Sequence, residues 1–346
     1  MYPQQIIDAL RHVRYPGTGV DLVAGGMVED DIRISGFEVS FSLIFDKDND
    51  PFLKSVLRAS EVAIQTYVSP SATVHIHPKF RQVRESAQTR EPSIHARHCI
   101  AIHSGKGGVG KSTVAVNIAV TLARMGYRVG LLDADIHGPS IPKMFGVEGS
   151  RPVSVNVSGR DLIEPVERYG VKMLSIGFFV ENDQAVIWRG GMASNAIKQL
   201  VEDAAWGDLD YFLLDMPPGT SDIHLTVVQT LPLSGAIVVT TPQPVALSDA
   251  RKGVDMFRNN KVNVPVLGLI ENMSWFTPAE LPENRYYLFG RNGGKQLAEA
   301  LGVPLLGQIP LVQSIREGGD AGIPIALQAG HPAQIVFEEI CRKLPQ

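Results

Sequence analysis

The stretch HSGKGGVGKST, residues 103–113, constrains the fold of this 346-residue chain more than any other feature. Three of its glycines match the dinucleotide-binding pattern G-x-G-x-x-G: Gly105, Gly107 and Gly110. The same letters, extended through Lys111 and Ser112, match G-x-x-x-x-G-K-[ST], the pattern of a loop that wraps nucleotide phosphates. Both motifs require a loop between a buried strand and a helix, so either one predicts an α/β fold.

The residues around this loop have the pattern that such a fold requires. The apolar run CIAIH precedes the loop, and helical spacing follows from Lys111 to Met125, with Gly126 after it. Further apolar runs alternate with helical stretches: RVGLLD, VKMLSIG, DYFLLD, GAIVVT, VLGLI and PLLGQI. Near-continuous apolar strands are covered on both faces, and strand–helix alternation indicates a parallel sheet. The sequence predicts a doubly wound parallel sheet, with ligands at the carboxyl ends of its strands.

Acidic residues that follow later strands discriminate between the two motifs. Asp133 and Asp135 lie near the distance at which a dinucleotide site places its ribose-binding acid. Lys111 and Ser112, however, have no role in a dinucleotide turn. In a phosphate-binding loop (P-loop) the lysine reaches the β/γ-phosphates and the serine ligates Mg²⁺. Asp215, in YFLLDMPPGTSD, supplies the carboxylate of a Walker-B strand. The pattern therefore favours a P-loop for ATP and Mg²⁺.

The loop itself is expected to bind the phosphates. Its backbone N–H groups, from residue 107 to residue 113, are predicted to point inward, and the dipole of the following helix favours negative charge there. Glycines allow the close approach of the backbone to the ligand. The nucleotide-binding residues predicted in this loop are Gly105, Lys106, Gly107, Gly108, Val109, Gly110, Lys111, Ser112 and Thr113.

Four further residues complete the predicted chemistry. Ser112 and Asp215 are expected to hold Mg²⁺, the carboxylate through water. The N–H of Gly219, in PPGT, is predicted to meet the γ-phosphate and so to sense hydrolysis. Asp135, in DADIHGPS, is predicted to position the attacking water. Asp133 either shares in this chemistry or only caps the end of its strand.

Residues 1–78 have a different pattern, which predicts a small α+β domain. Helical spacing over residues 3–14 and 51–68 flanks the alternating strand GFEVSFSLIF, and ATVHIHP predicts a last short strand. The stretch KFRQVRESAQTREPSIHAR, residues 79–97, is polar and has no sustained period, which predicts a linker. The predicted P-loop domain then occupies residues 98–346.

Composition excludes several classes of protein. The net charge of −4 argues against a strongly basic nucleic-acid binder. No apolar run is long enough for a transmembrane helix, and the stretch MYPQQIIDAL lacks the pattern of a signal peptide. The chain has two cysteines, Cys99 and Cys341, too few for a disulfide framework. These features predict a cytoplasmic protein that binds neither nucleic acid nor membrane.

The stretch KGGVGKST resembles the deviant Walker A motif of the MinD/ParA/nitrogenase iron protein superfamily. The resemblance implies a homodimer that encloses two ATP molecules. Lys106 would then reach the phosphates of the partner subunit, and a cation at that place would stabilise the charge of a hydrolytic transition state. With Lys111 and Asp135, which the P-loop motif and the strand-end acids already predict, Lys106 makes three predicted catalytic residues. The alternative for Lys106 is a solvated loop lysine.

Other segments resemble the Mrp/ApbC family, whose members carry iron–sulfur clusters to apoproteins. These segments are DADIHGPSIP, WRGGMAS, LLDMPPGTSDIHLTVVQ, TTPQPVAL, GLIENMSWF and IPLVQSIREGGDAGIP. The short stretches PGTG, GMV and DPF resemble the small domain of iron–sulfur assembly factors. The resemblance implies that Asn272 contacts the adenine, whereas the alternative is a turn residue that closes a strand. It also implies iron–sulfur apoproteins or assembly factors as partners.

The chain departs from that family in one segment. Many members have a C-x-x-C pair after ENMS, but the stretch ENMSWFTPAELPENRYYLFG, residues 271–290, has no cysteine. Cys99 is predicted to lie in the core and Cys341 to be half-buried. The aromatic residues of the segment 271–290 form either a flap that binds a partner or a part of the ATPase core. Four histidines are weaker candidates for metal ligands: His75, His77, His95 and His98.

The sequence therefore predicts a Mg²⁺-dependent ATPase that binds iron–sulfur clusters and transfers them to apoproteins. The ligands of such a cluster are not identified by the sequence. Two alternatives remain at this point. One is a nucleotide-switched scaffold that holds no cluster, and the other is a positioning ATPase like MinD or ParA.

Overall fold

The computed structural model describes residues 1–16, 19–29, 31–45, 50–80, 94–135, 138–179, 190–220, 224, 227–228, 230–278 and 280–346. The chain divides into two compact units, Met1–Arg90 and Glu91–Gln346. Within the described ranges, no helix has both the length and the apolar character that a membrane crossing requires.

The first unit packs two helices on one face of a three-stranded sheet. Its elements are α1 (Pro3–Leu10), β1 (Arg33–Ser35), β2 (Glu38–Phe45), α2 (Leu53–Tyr67) and β3 (Thr73–Phe80). The strand order is β1-β2-β3, with β1 antiparallel and β3 parallel to β2. Alternate residues of β2 are buried against the helices, because successive side chains of a strand point to opposite faces: Val39, Phe41, Leu43 and Phe45.

The stretch predicted as a linker, residues 79–97, differs from the prediction at both of its ends. Residues 79 and 80 complete β3, and residues 94–97 begin the first strand of the second unit. Both ends are ordered by pairing with neighbouring strands, through Phe80 beside Phe45 and Ile94 beside Gly207. A polar composition did not reveal this pairing, because strand edges tolerate polar side chains that face water. Residues 81–93 lie outside the described part of the chain.

The second unit is built on an eight-stranded sheet with the order β13-β12-β11-β4-β10-β5-β9-β8. Its strands are parallel except for β8, which is antiparallel to β9. The strands of this unit, including the separate hairpin β6–β7, are β4 (Ile94–His103), β5 (Val129–Asp133), β6 (Ser154–Val157), β7 (Arg160–Ile163), β8 (Val166–Arg168), β9 (Val171–Ser175), β10 (Gly207–Asp215), β11 (Gly235–Thr240), β12 (Val266–Glu271) and β13 (Leu305–Gln308).

Helices cover both faces of this sheet. They are α3 (Lys111–Arg124), α4 (Ile141–Met144), α5 (Gly190–Glu202), α6 (Pro244–Arg258), α7 (Gly293–Leu301), α8 (Gln313–Asp320) and α9 (Pro332–Arg342). Ile100 and Ile102 of β4 pack with α3 and α9 in one core, whereas Cys99 and Ala101 face a second core with α5, α6 and α7. The prediction of a doubly wound parallel sheet is therefore confirmed, and burial on both faces explains the continuous apolar runs.

Candidate functional site

Several polar residues meet at the carboxyl edge of the main sheet. His103 ends β4, Asp133 ends β5, Asp215 ends β10 and Glu271 ends β12. Asp215 is paired in register with Asp133 on one side and Ile102 on the other. Because parallel strands end at one edge, residues far apart in the sequence come together beside the glycine-rich loop.

The loop from Ser104 to Gly110 joins β4 to α3, and two of its glycines have a left-handed backbone. Gly108 and Gly110 both have φ of 83°, a conformation that side chains disfavour. A Cβ on Gly110 would lie 2.3 Å from the Asn272 amide nitrogen, and a Cβ on Gly105 would lie 2.2 Å from the Asp249 backbone. These glycines are therefore required by the protein's own packing.

Lys111 is the first residue of α3, and its ammonium group lies among carboxylates. The side chain is 6% exposed, and its Nζ is 2.6 Å from Asp215 Oδ1 and 3.9 Å from Asp135 Oδ2. The same Nζ donates to Ser112 Oγ at 3.3 Å. Three predicted site residues, Ser112, Asp135 and Asp215, thus surround the ammonium group of Lys111.

Asp133 and Asp215 are buried at this edge, which changes their pKa values. Burial, and next the negative charge of Asp215, raise the pKa of Asp133 to about 7 against the opposing effect of Lys111. Burial likewise raises the pKa of Asp215, although its bond to Lys111 opposes this. One oxygen of Asp215, Oδ2, is buried and has no hydrogen-bond partner among the described residues. A site that leaves a carboxylate oxygen without a donor is suited to a cation.

Asp133 serves as an acceptor at the centre of several hydrogen bonds. Its Oδ1 accepts from the backbone N–H of Asp135 at 3.1 Å, and its Oδ2 accepts from Ser175 Oγ at 2.9 Å. Oδ2 also lies 3.4 Å from the backbone N–H of Ile141, at the start of α4. These contacts orient the backbone of Asp135, so Asp133 has an organising role that the sequence did not reveal.

Gly219 lies on the turn that follows β10. Its φ is 84°, and its N–H donates to the Ser104 carbonyl at 3.0 Å. The predicted contact of this N–H with a γ-phosphate therefore requires it to leave Ser104. Met216, at the start of the same turn, donates its N–H to the Ile102 carbonyl at 3.0 Å.

Asn272 follows β12 and contacts the loop itself. Its amide nitrogen donates to the Val109 carbonyl at 2.8 Å, and its own backbone N–H donates to Thr240 at 2.8 Å. The preceding Glu271 is buried, and its carboxylate accepts from Gly294 N–H at 2.5 Å and from Gln308 Nε2 at 2.8 Å. This network fixes the position of Asn272 beside the loop.

A cavity of about 320 Å³ opens beside Gly110, Thr113 and Asn272. The sequence did not single out most of its lining, which comes from α4 and the residue before it, from the residue after Asn272, from α8 and from the turn between β13 and α8: Ser140, Lys143, Met144, Met273, Pro310, Leu311, Val312, Ile315, Arg316, Gly319 and Asp320. The segment IPLVQSIREGGDAGIP carried a family resemblance but no assigned role. Only the tertiary structure brings it to the loop.

The two lysines of the loop differ in their surroundings. Lys111 is buried, whereas Lys106 is partly exposed. The backbone carbonyl of Lys106 accepts from Ser104 Oγ at 3.0 Å. The Lys106 side chain is therefore open to water at the rim of the site.

Both cysteines are buried in apolar surroundings. Burial raises the pKa of Cys99 to about 12, and burial also raises the pKa of Cys341. Cys99 lies in the core as predicted, but Cys341 is fully rather than half buried, because α9 packs that face against α3. Among the residues whose structure is described, no three His, Cys, Asp or Glu side chains are grouped to hold a metal ion.

Two family models match the chain. The model described as NUBPL iron-transfer P-loop NTPase matches residues 95–345. The model described as iron–sulfur cluster assembly protein matches residues 3–76. The two matches together span most of both compact units.

Two curated relatives are similar over nearly their whole length. An iron–sulfur cluster carrier protein of Synechocystis sp. is 45% identical over 323 residues, which cover 93% of this chain and 90% of the relative. An iron–sulfur cluster carrier protein of Aquifex aeolicus is 39% identical over 370 residues, which cover 100% of this chain and 98% of the relative.

Solved structures show the same fold. A nucleotide-binding protein of Archaeoglobus fulgidus in complex with ADP has a TM-score of 0.58 and 35% identity, over 69% of this chain and 91% of that one. The cell division ATPase MinD of Pyrococcus furiosus has a TM-score of 0.52 and 23% identity, over 71% of this chain and 98% of that one. The second likeness is one of fold alone.

Proposed function

Because the chain belongs to the NUBPL iron-transfer P-loop NTPase family, we propose that it is an ATP-hydrolysing protein that binds iron–sulfur clusters and transfers them to apoproteins. The observation that carries the nucleotide part is the grouping of Lys111, Asp135 and Asp215 beside the glycine loop. The carrier part rests on the family and on relatives that are named iron–sulfur cluster carrier proteins. Cytoplasmic location remains part of this proposal.

In this proposal the loop residues 105–113 hold the phosphates. Lys111 releases Asp215 and donates to the β/γ-phosphates, while the backbone N–H groups at the start of α3 donate alongside it. Asn272 and the neighbouring cavity receive the adenine. The Gly219 N–H leaves the Ser104 carbonyl and donates to the γ-phosphate.

The residues present fit a magnesium ion. Ser112 Oγ and Asp215 offer hydroxyl and carboxylate oxygens, which Mg²⁺ prefers, and Asp215 Oδ2 is buried without a partner among the described residues. When bound, the ion neutralises charge on the phosphate oxygens. Asp133 orients the backbone of Asp135. Asp135 in turn positions the attacking water and accepts its proton.

Lys106 acts across a homodimer in this proposal. Its partly exposed side chain lies at the rim of the site, where a second subunit can reach it. A cation supplied from the partner would stabilise the phosphoryl oxygens in the transition state, as an arginine finger does.

A second candidate function is a nucleotide-switched scaffold that holds no cluster. The observation in its favour is the state of the thiols: Cys99 and Cys341 are both buried, with raised pKa values, and residues 271–290 have no cysteine. Thiolates are the usual ligands of iron–sulfur clusters. The scaffold would present residues 275–290 to an assembly partner, since Leu311 of the nucleotide cavity donates its N–H to the Trp275 carbonyl at 2.7 Å.

Phosphate release with Mg²⁺ and ATP tests the nucleotide site. We expect Lys111→Ala to lower ATP binding and to reduce turnover by at least about 100-fold. We expect Lys106→Ala to keep the ATP affinity within about threefold while turnover falls about 100-fold. Lys54→Ala, an exposed lysine of the first unit, is the matched control. Unchanged turnover in Lys111→Ala would refute the site, and equal loss of binding and turnover in Lys106→Ala would refute its role in trans.

Anaerobic reconstitution with iron and sulfide separates the two functions. Iron is counted per dimer before and after addition of an apoprotein acceptor. A stoichiometric cluster that moves to the acceptor would support the carrier and exclude the scaffold. Intact ATP hydrolysis without a cluster would support the scaffold.

A further inference from the structure

The turn that follows β10, residues 216–219, is held by few hydrogen bonds of its own backbone. Pro217 and Pro218 have no N–H group. The N–H of Met216 donates to Ile102 and the N–H of Gly219 donates to Ser104, both at 3.0 Å. If Gly219 turns to a γ-phosphate, the turn keeps only the Met216 bond among its own backbone donors.

A buried histidine supplies another attachment for this turn. His224 is 1% exposed, and its Nε2 lies 2.9 Å from the Pro217 carbonyl oxygen. A carbonyl oxygen can only accept, so Nε2 of His224 must carry a proton in this contact. His224 therefore donates to the residue at the centre of the turn, and it does so independently of Gly219.

A second buried histidine supports the first. His103 lies between Ile102 and Ser104, the two residues whose carbonyls accept from the turn, and it is 0% exposed. Its ring lies perpendicular to the His224 ring, at 85° with the centroids 5.2 Å apart. Burial and the neighbouring charges of His224 and Lys111 lower the pKa of His103 to about 3, so this ring is neutral at ordinary pH.

Helix α6 holds His103 from its other side. The Phe257 ring stands at 83° to the His103 ring with the centroids 5.4 Å apart. A Cβ on Gly253 would lie 2.8 Å from the His103 ring, so a glycine at this position makes room for the imidazole. The His103 ring is thus fixed between α6 and His224, directly behind the phosphate loop.

We propose that His224 is a positioning residue for ATP hydrolysis: its Nε2–H holds the Pro217 carbonyl while the Gly219 N–H changes its acceptor from Ser104 to the γ-phosphate. His103 holds the His224 ring in the orientation that this bond requires. The inference rests on the proposed function, because it assigns the γ-phosphate contact to Gly219.

A matched pair of substitutions tests the hydrogen bond. In His224→Gln the side-chain amide N–H reaches about as far as Nε2, whereas in His224→Asn it is one methylene too short. We expect His224→Asn to lower the rate of phosphate release about tenfold and His224→Gln to restore most of it. His224→Phe, which keeps a ring but has no donor, is expected to behave like His224→Asn. His98→Phe, in the middle of β4, is the control that should keep the wild-type rate.

Nucleotide affinities separate positioning from a loss of structure. We expect the Kd for a non-hydrolysable ATP analogue to rise about tenfold in His224→Asn, while the Kd for ADP, which has no γ-phosphate, stays within about twofold. Equal weakening of both ligands, or equal rates in the Gln and Asn variants, would overturn the inference. A wild-type protein that releases no phosphate would instead refute the proposed function.

Discussion

Strand β10 has one ion pair at its carboxyl end and another in its amino-terminal half, and the two pairs have opposite characters. At the carboxyl end, Asp215 is 0% exposed and contacts Lys111, which is 6% exposed. In the amino-terminal half, Asp210 is 27% exposed and binds Arg128, which is 59% exposed. Arg128 meets both carboxylate oxygens of Asp210, at 2.9 and 3.1 Å. Access to water is the main difference between two pairs on one strand.

That difference determines what each carboxylate can do. Hydrogen bonds from Arg128 lower the pKa of Asp210 to about 2, so this carboxylate stays ionised and water screens its pair. Burial raises the pKa of Asp215, and its contact with Lys111 compensates only in part. A poorly solvated carboxylate with one oxygen that no described residue contacts through a hydrogen bond gains from a cation, whereas a well-solvated one does not. The exposed pair tethers the strand, and the buried pair is suited to bind a ligand.

Replacing each aspartate by asparagine is expected to give the largest difference in activity between the two ion pairs. Asp215→Asn removes the charge that contacts Lys111 and that is proposed to hold Mg²⁺, so phosphate release should fall about 100-fold. Asp210→Asn in the amino-terminal half should leave turnover within about twofold. The two rates are measured side by side with Mg²⁺ and ATP. Similar loss in both variants would mean that β10 acts through its stability rather than through a site.

Substitutions at two loop glycines are expected to have different effects, one on stability and the other on ATP binding. A Cβ on Gly105 would lie 2.2 Å from the Asp249 backbone, so Gly105→Ala should destabilise the protein by about 2 kcal/mol. A Cβ on Gly107 meets no described atom within 4 Å, so Gly107→Ala should change stability by less than about 0.5 kcal/mol. Urea denaturation measures both. We expect Gly107→Ala to weaken ATP binding, and unaltered binding would contradict the predicted approach of phosphates to this residue.

The pH dependence of unfolding distinguishes the buried carboxyl edge of the sheet, where His103 lies, from the exposed pair of Asp210 and Arg128. His103 has a pKa lowered to about 3, so below pH 6.5 the unfolded chain binds a proton that the native state does not. His103 therefore makes the protein less stable as the pH falls from about 6.5 toward 3. Asp133, with its raised pKa, has the opposite effect in this range, and His103→Phe should remove only the loss that comes from His103.

Asp210 acts in a lower pH range, because its folded pKa is lowered from 3.8 to about 2. Its contribution is present above the unfolded pKa and is lost as the pH falls toward 2. Asp210→Asn should therefore leave the profile between pH 5 and 6.5 unchanged. Urea midpoints measured across pH 3 to 7 compare the variants, and a His103→Phe profile parallel to that of the wild type would contradict the assignment.

The smallest effect is expected at the exposed pair itself. Arg128→Ala should destabilise the protein by less than about 1 kcal/mol, since exposed ion pairs contribute little. The effect should shrink further in high salt, because ions screen exposed charges. Thermal unfolding at low and high salt measures both changes. A large loss that salt does not alter would mean that Arg128 contributes through packing of its side chain.

Much of the fold followed from local patterns. The glycine loop between an apolar strand and a helix, with the alternation after it, predicted the parallel sheet, which is confirmed. Strand β4 also shows what local patterns miss, because its first residues lie in the stretch predicted as a linker. Their strand structure depends on pairing with β10, which lies more than a hundred residues away.

For the candidate site, the sequence by itself predicted which residues would carry the chemistry. Lys111, Ser112 and Asp215 were identified because residue type and spacing specify a phosphate-binding loop. The tertiary structure alone determined the burial of Asp215, the hydrogen bonds of Asp133 and the contact of His224 with Pro217. The physical reason is that a motif records neighbours along the chain. Desolvation and hydrogen bonding instead depend on which distant segments exclude water from a group.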